Sequence, residues 1–277
     1  MMQPPYQVNL SGKTAVVTGG SGVLGSVFSK ALAACGARVA VLGRHAETAR
    51  ETLGSIDGEA TFFQADVTDR ASLEKARAEV IARYGVPDIL VNGAGGNNPK
   101  ANTDDEFFTP GEGMKDFFQL DTAVLQQVFD LNFQGALLTS QVFAKDMAGK
   151  PGASIVNITS MNSYRPLTKV VAYSAAKAAV SNLTMWMAVY FAKAGLRVNA
   201  IAPGFFVGNQ NRSMLFDSDG KPTPRTEKIL RSTPMGRFGL PEELIGTLLF
   251  LVSPEASGFV TGIVIPVDGG FSAYSGV

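Results

Sequence analysis

Seven short runs along the chain are apolar or β-branched at most positions: 14–18, 38–42, 60–64, 88–92, 154–158, 197–201 and 263–267. An extended segment that is apolar on both sides suits a parallel sheet covered by helices on each face. Between these runs, apolar residues recur with helical period over 22–34, 68–84, 121–147, 171–194 and 241–252. Strands alternating with helices predict a doubly wound α/β layer sandwich. With no linker or repeat in view, one domain over 1–277 is expected. Two stretches break the pattern, 95–113 and 205–237, the second rich in Asn, Ser, Pro, Gly and Arg. Loops this long inside a compact domain usually form lids or binding loops, so 205–237 is expected to be a substrate loop.

Composition supports a globular chain and narrows its partners. Of 277 residues, 45% are hydrophobic and 17% charged, the wrong balance for disorder. Lys and Arg total 24 against 24 Asp and Glu, so bulk attraction to nucleic acid or an anionic membrane is not expected. The lone Cys35 can form no internal disulfide, and with a single His45 a multi-His or multi-Cys zinc site is excluded. The start, MMQPPYQVNL, lacks a basic segment followed by a long apolar stretch. Purely apolar runs such as 248–252 fall far short of the roughly 20 residues that span a bilayer. A cytoplasmic protein is therefore expected, with no membrane or nucleic-acid partner and no metal.

The first predicted strand runs into Thr18-Gly-Gly-Ser-Gly-Val-Leu-Gly25 and then a helix. Such a turn lets backbone approach a pyrophosphate, whose charge meets the helix N-terminus, so Gly19, Ser21, Gly22, Val23 and Leu24 are candidate dinucleotide ligands. Glycines can also merely make a tight turn, and position after the first strand is what favours the nucleotide. An acid ending the second strand would bind the ribose hydroxyls of NAD, whereas a base accommodates the 2′-phosphate of NADP. Here that strand ends Leu42-Gly-Arg-His45, with no carboxylate before Glu47. Arg44 thus tilts the coenzyme towards NADP(H), with NAD(H) still possible, unless it is simply an exposed arginine starting a helix. Asp66 and Val67 follow the third strand, and Asn92, Gly93 and Ala94 follow the fourth, at the strand ends where open α/β sheets bind ligands.

A second cluster comprises Ser160, at the end of the fifth strand, with Tyr173 and Lys177 thirteen and seventeen positions later. Four apart on a helix, Tyr173 and Lys177 point the same way. A tyrosine titrates near ~10, and a neighbouring ammonium together with a cationic nicotinamide would favour its phenolate. Ser160 could then hydrogen-bond the reacting oxygen. Alone, such a Tyr and Lys are more often a snorkelling surface pair, and only the nucleotide turn alters that.

These elements, with Asn132, Arg197-Val-Asn199, Pro203-Gly204 and Asp268-Gly-Gly270, resemble the short-chain dehydrogenase/reductase family over essentially the full chain. The resemblance implies a three-layer Rossmann fold with a seven-stranded parallel sheet, usually a homotetramer. It also implies a catalytic tetrad of Asn132, Ser160, Tyr173 and Lys177, with Tyr as acid-base, Lys on the nicotinamide ribose, Ser on the carbonyl and Asn holding a relay water. Pro203, Gly204 and Phe206 join the coenzyme contacts by the same likeness. Val23 stands where the family usually has glycine, and Gly93 where it usually has a second Asn. Val requires negative φ, which predicts a slightly different turn.

Within that family the segments 92–100, 160–169, 203–212 and 270–277 look like its D-mannonate oxidoreductase (fructuronate reductase) branch, although Gly208 replaces a common hydroxyl residue. A sugar acid needs a cation for its carboxylate and amides or hydroxyls for its polyol. Arg165, Lys169 and Arg212 supply candidates for the first, and Asn97, Asn98, Asn162, Asn209 and Asn211 for the second, although loops are polar in any event. The function expected is interconversion of a ketone and a secondary alcohol on fructuronate/mannonate. Another polyol, a ketogluconate or a 3-oxoacyl group is the alternative substrate, and a non-catalytic nucleotide-binding scaffold is the alternative of another class.

Overall fold

The computed structural model describes residues 8–111, 113–207 and 215–276. Its centre is a seven-stranded sheet in the order β3-β2-β1-β4-β5-β6-β7, with every neighbouring pair parallel. The strands are β1 (Thr14–Thr18), β2 (Arg38–Gly43), β3 (Ala60–Gln64), β4 (Ile89–Asn92), β5 (Ser154–Ile158), β6 (Arg197–Pro203) and β7 (Val264–Val267). All seven predicted strands are present, within about two residues at each end. The helices are α1 (Val23–Ala34), α2 (Ala46–Gly54), α3 (Arg70–Tyr84), α4 (Thr122–Phe129), α5 (Gly135–Met147), α6 (Val171–Phe191), α7 (Pro224–Arg231) and α8 (Ile245–Val252).

The two-sided apolar strands feed two cores. Ala15, Val17, Val39 and Val41 pack with Phe28 and Leu32 of α1 and Leu248 and Leu251 of α8. Val16, Ala40 and Leu42 pack on the other side with Leu73 and Val80 of α3, Phe143 and Met147 of α5, and Met187 of α6. The alternation within β1 and β2 is the period-2 pleat sending neighbours to opposite faces. Phe28 and Phe143 are wholly buried, and each is worth about 1.5–3 kcal/mol over an exposed ring.

Four expectations about helices change. The predicted helix over 121–147 is two helices joined by one π-helical turn, Asp130–Gln134. Three helices of the described residues were not predicted: a single turn at Pro254–Ser257, α2, which buries only Ala49 and Thr52, and α7, which buries only Thr226 and Ile229 and lies inside the expected loop 205–237. Among the described residues no helix is long and apolar enough to cross a membrane.

The sheet reverses its winding between β1 and β4, whose register pairs Thr18 with Asn92 while Thr18 pairs with Leu42 on its other side. The carboxyl ends of β1, β2, β4, β5 and β6 therefore open on one edge of the molecule, where the candidate residues gather.

Candidate active site

The turn after β1 is built for close backbone approach. Gly19 has φ +62°, and a Cβ there would stand 3.0 Å from the Ala94 Cα. A Cβ on Gly25 would stand 2.0 Å from the Gly19 carbonyl oxygen, so only glycine lets the first turn of α1 settle on the loop. Gly22 is the N-cap, with no side-chain cap and no acid in the first turn, which leaves this terminus suited to an anion. Val23 is the first helical residue, where negative φ is the native conformation, so its substitution for glycine does not strain the turn. Leu24 follows it in α1. The Ser21 hydroxyl lies 3.5 Å from that of Thr48. Thr18, which sequence reasoning missed, clamps the turn to the β4 loop: its hydroxyl accepts the N–H groups of Gly93 and Ala94 at 3.1 and 3.2 Å.

Asn92 ends β4 in a buried polar chain. Its amide donates to Ser140 at 2.9 Å and to Asn157 at 2.8 Å, and Asn157 donates to Thr184 at 2.8 Å. The Asn92 Oδ1 is buried without a hydrogen-bond partner among the described residues, which suits an acceptor held for a ligand. Arg44 is exposed between β2 and α2, with its carbonyl accepting from Gln64 at 3.1 Å. Burial alone would raise the Asp66 carboxyl, but hydrogen bonds from Thr68 and the charge of Arg44 hold it below its usual range. Val67 is buried against Gly135, so only its backbone faces the cleft.

Ser160, Tyr173 and Lys177 converge at the end of β5. Ser160 is 7% exposed, its hydroxyl accepts the Asn162 N–H at 3.2 Å, and it acts on the Tyr173 phenol. The buried Lys177 ammonium donates to the Ile158 carbonyl at 2.8 Å and lies 5.6 Å from the centre of the Tyr173 ring. Burial lowers the lysine to about 8. Burial also pushes the Tyr173 phenol up, and Ser160 only partly offsets this. The expected depression of the phenol by Lys177 is thus not produced by the protein alone. Asn132 sits in the π-helical turn, donating to the Gly96 carbonyl at 2.7 Å and to Val128 at 2.8 Å while accepting the Gly96 N–H at 3.1 Å. A Cβ on Gly95 would lie 2.6 Å from the Asn132 Oδ1 and 3.1 Å from the Lys177 Nζ, so the β4 loop passes directly over both groups.

The substrate candidates divide. The last coenzyme candidates lie beside them: Pro203 ends β6, Gly204 lies against Asp268, and Phe206 is buried against Gly239. Asn162 is buried beside Ser160, and its amide donates to Ser174 at 3.2 Å. Asn97 is exposed and donates to Asn102 at 3.1 Å, while Asn98 caps a short 3₁₀ turn. Arg165, expected to reach the substrate, instead donates to the Tyr274 carbonyl in the C-terminal tail at 2.5 Å. Lys169 donates to the Asp104 carbonyl. Gly208, Asn209, Asn211 and Arg212 lie outside the described residues. Arg225 and Lys228 of α7, which sequence reasoning missed because this stretch was read as loop, line a cavity of about 630 Å³ with Arg165 and Lys169.

The chain is similar to known proteins in sequence and in fold. The short chain dehydrogenase family matches residues 13–216. UxuB, an uncharacterized oxidoreductase of Bacillus subtilis, is 53% identical over 277 residues and 99% of each chain. Gluconate 5-dehydrogenase of Gluconobacter oxydans is 34% identical over 274 residues, covering 98% of this chain and 99% of its own. A solved structure from Haemophilus influenza, provisionally named a D-mannonate oxidoreductase and holding bound NAD, superposes with a TM-score of 0.93 at 53% identity. It covers 97% of this chain and 98% of that one.

Proposed function

The chain belongs to the short-chain dehydrogenase family and is an oxidoreductase, and from that premise we propose that it interconverts a ketone and a secondary alcohol on a sugar acid, with D-fructuronate and D-mannonate as the pair. The observation that carries this reading is the placing of Ser160 and of the buried Lys177 ammonium at Tyr173, beside a glycine turn that leaves a helix N-terminus open. The turn and the open α1 terminus fit a pyrophosphate, and the orphaned Asn92 Oδ1 fits a ribose or base donor.

When bound, a nicotinamide coenzyme supplies or takes the hydride. In reduction, the Tyr173 hydroxyl gives its proton to the oxygen of the carbonyl whose carbon receives the hydride, so one hydride and one proton complete the alcohol; oxidation runs the same transfers backwards. Ser160 donates a hydrogen bond to that oxygen and fixes it at the phenol. Lys177 would hold the nicotinamide ribose, and its charge favours the phenolate once the proton has left. Asn132, tied to Gly96, keeps the β4 loop in place over Lys177 and holds a relay water for the proton's return.

Arg44 and the lack of a carboxylate at the end of β2 favour NADP(H), while the NAD held by the Haemophilus structure supports turnover with either coenzyme. The sugar acid is supported by the cations Arg165, Lys169, Arg225 and Lys228 of one cavity and by Asn162 in the cavity that adjoins it. The gluconate 5-dehydrogenase relative makes a ketogluconate the second reading. Assembly as a homotetramer is supported by the face of α6 that exposes Met185, Trp186, Val189 and Tyr190. The test is NADPH and NADH oxidation with D-fructuronate, 5-ketogluconate and an acetoacetyl thioester. Fastest turnover of D-fructuronate is expected, and preference for the thioester would refute the sugar-acid reading.

A further inference from the structure

Near the catalytic pair the protein carries positive charge that the hydride and proton transfers do not use. The cavity of about 630 Å³ lies between the loop from Arg165 to Lys169, the start of α7 and the C-terminal tail. Its described walls include Arg165, Lys169, Arg225 and Lys228 but a single carboxylate, Glu106. Three of the four cations have a partner, but only one of these is a charge: Lys228 pairs with Glu106, whereas Arg165 meets the Tyr274 carbonyl and Lys169 the Asp104 carbonyl. Both Lys169 and Arg225 act on Glu106 through space. The cavity therefore keeps a surplus of cation, and the Lys228–Glu106 pair braces α7, which carries Arg225, against the 95–113 loop.

Lys169 is also conformationally singular. Among the described residues it is the one non-glycine with positive φ, at +71°, a conformation that side chains rarely adopt. Tertiary pairing holds it there: its carbonyl accepts the Thr103 N–H at 3.1 Å, and the next residue, Val170, bridges Asn102. Strain of this sort persists where the surroundings over-determine it, and it clusters at ligand clamps. A second cavity, of about 540 Å³, shares Glu106, Pro166, Leu167 and Lys169 with the first and reaches Asn162 and Ser174. Asn162 bonds the Ser160 hydroxyl through its N–H, and its own Oδ1 is buried without a partner among the described residues. Lys169 thus stands at the junction between the cationic cavity and the residues flanking Ser160 and Tyr173.

We propose that Lys169 and Arg225 bind the carboxylate of the substrate, and that Arg165 serves instead to fasten the C-terminal tail as one wall of that subsite. The inference rests on the sugar-acid reading above. A planar guanidinium accepts a carboxylate through two parallel hydrogen bonds, and an ammonium adds a third, charge-assisted contact. With the carboxyl end held there, the rest of an extended polyol chain runs along the shared wall towards Asn162 and Ser160.

The test compares wild type with Lys169→Met and Arg225→Met in the intact chain, using NAD(P)H with D-fructuronate and with the neutral ketose D-fructose. Methionine keeps most of the apolar stem and removes the charge. Each variant should raise KM for D-fructuronate by roughly 10- to 100-fold. Turnover of D-fructose should stay at the wild-type level, which also reports on folding. If both variants keep the wild-type preference for acid over neutral ketose, or if both substrates suffer alike, the carboxylate assignment is overturned while the sugar-acid reading stands. A wild type that reduces D-fructose but no keto acid would overturn both.

Discussion

Gly95→Ala adds one methyl group at the most crowded point of the catalytic arrangement. The backbone of Gly95 is not in the left-handed region, so alanine is acceptable there in itself. Its Cβ, however, would stand 2.6 Å from the Asn132 Oδ1, where ordinary contact begins at 3.4 Å, so something must give by about 0.8 Å. Asn132 is 1% exposed and tied by three hydrogen bonds to Gly96 and Val128, and Lys177, 3.1 Å from the same Cβ, is held to Ile158. Loss of two of the Asn132 bonds costs about 1–3 kcal/mol of stability. A displacement near 1 Å in a catalytic constellation costs about 10²-fold in rate. The expected result is kcat down by about that factor with the fold retained, read from steady-state rates beside a thermal melt. Gly96→Ala is the control, because a Cβ there meets nothing within 4 Å and should leave both readouts nearly unchanged. Wild-type kcat in Gly95→Ala would refute the view that the β4 loop positions Asn132 and Lys177.

Three further outcomes follow. Because burial lowers Lys177 to about 8, its ammonium is present below that pH and lost above it, so kcat/KM for the coenzyme should fall on the alkaline side of about 8. A profile flat to pH 10 would contradict this. Arg44→Ala should weaken NADPH by about tenfold or more with NADH little changed, and equal effects on the two would make Arg44 a surface residue. Asp88, 4% exposed, accepts the Thr14 N–H at 2.9 Å and pairs with Lys13 and Lys150. Burial would raise its carboxyl, but these partners hold it below the ordinary range, so its stabilisation is full above that range and is lost as pH falls through the lowered value. Asp88→Asn should therefore cost about 1–3 kcal/mol in denaturant unfolding at neutral pH, and less in acid.

What could be read from the chain followed from how strongly each residue's surroundings dictate its type. β1, β2, β4, β5 and β6 are buried on both faces and must be apolar, whereas the only partly buried β3 and β7 were visible through their β-branched and aromatic runs. The glycine turn and the Ser160, Tyr173 and Lys177 spacing were visible because backbone approach and helical periodicity constrain residue identity. The π-helical turn was not, since one extra residue per turn leaves the apolar pattern of 121–147 continuous while re-aiming Asn132. Helices α2 and α7 were missed for want of an apolar stripe. The place of Arg165 could not be read because its partner is a main-chain carbonyl 109 residues away, which carries no signature in the sequence. Arg225 was hidden with α7, whose stretch reads as loop.

The most direct measurement is the rate of NAD(P)H oxidation with D-fructuronate by wild type and by Tyr173→Phe, with coenzyme binding followed in parallel by fluorescence. Removing only the phenolic oxygen should leave binding and melting intact and lower kcat by about 10²–10⁴-fold, the usual contribution of a general acid-base. A folded Tyr173→Phe protein that reduces D-fructuronate at close to the wild-type rate would contradict the assignment of Tyr173 as the group that exchanges the proton.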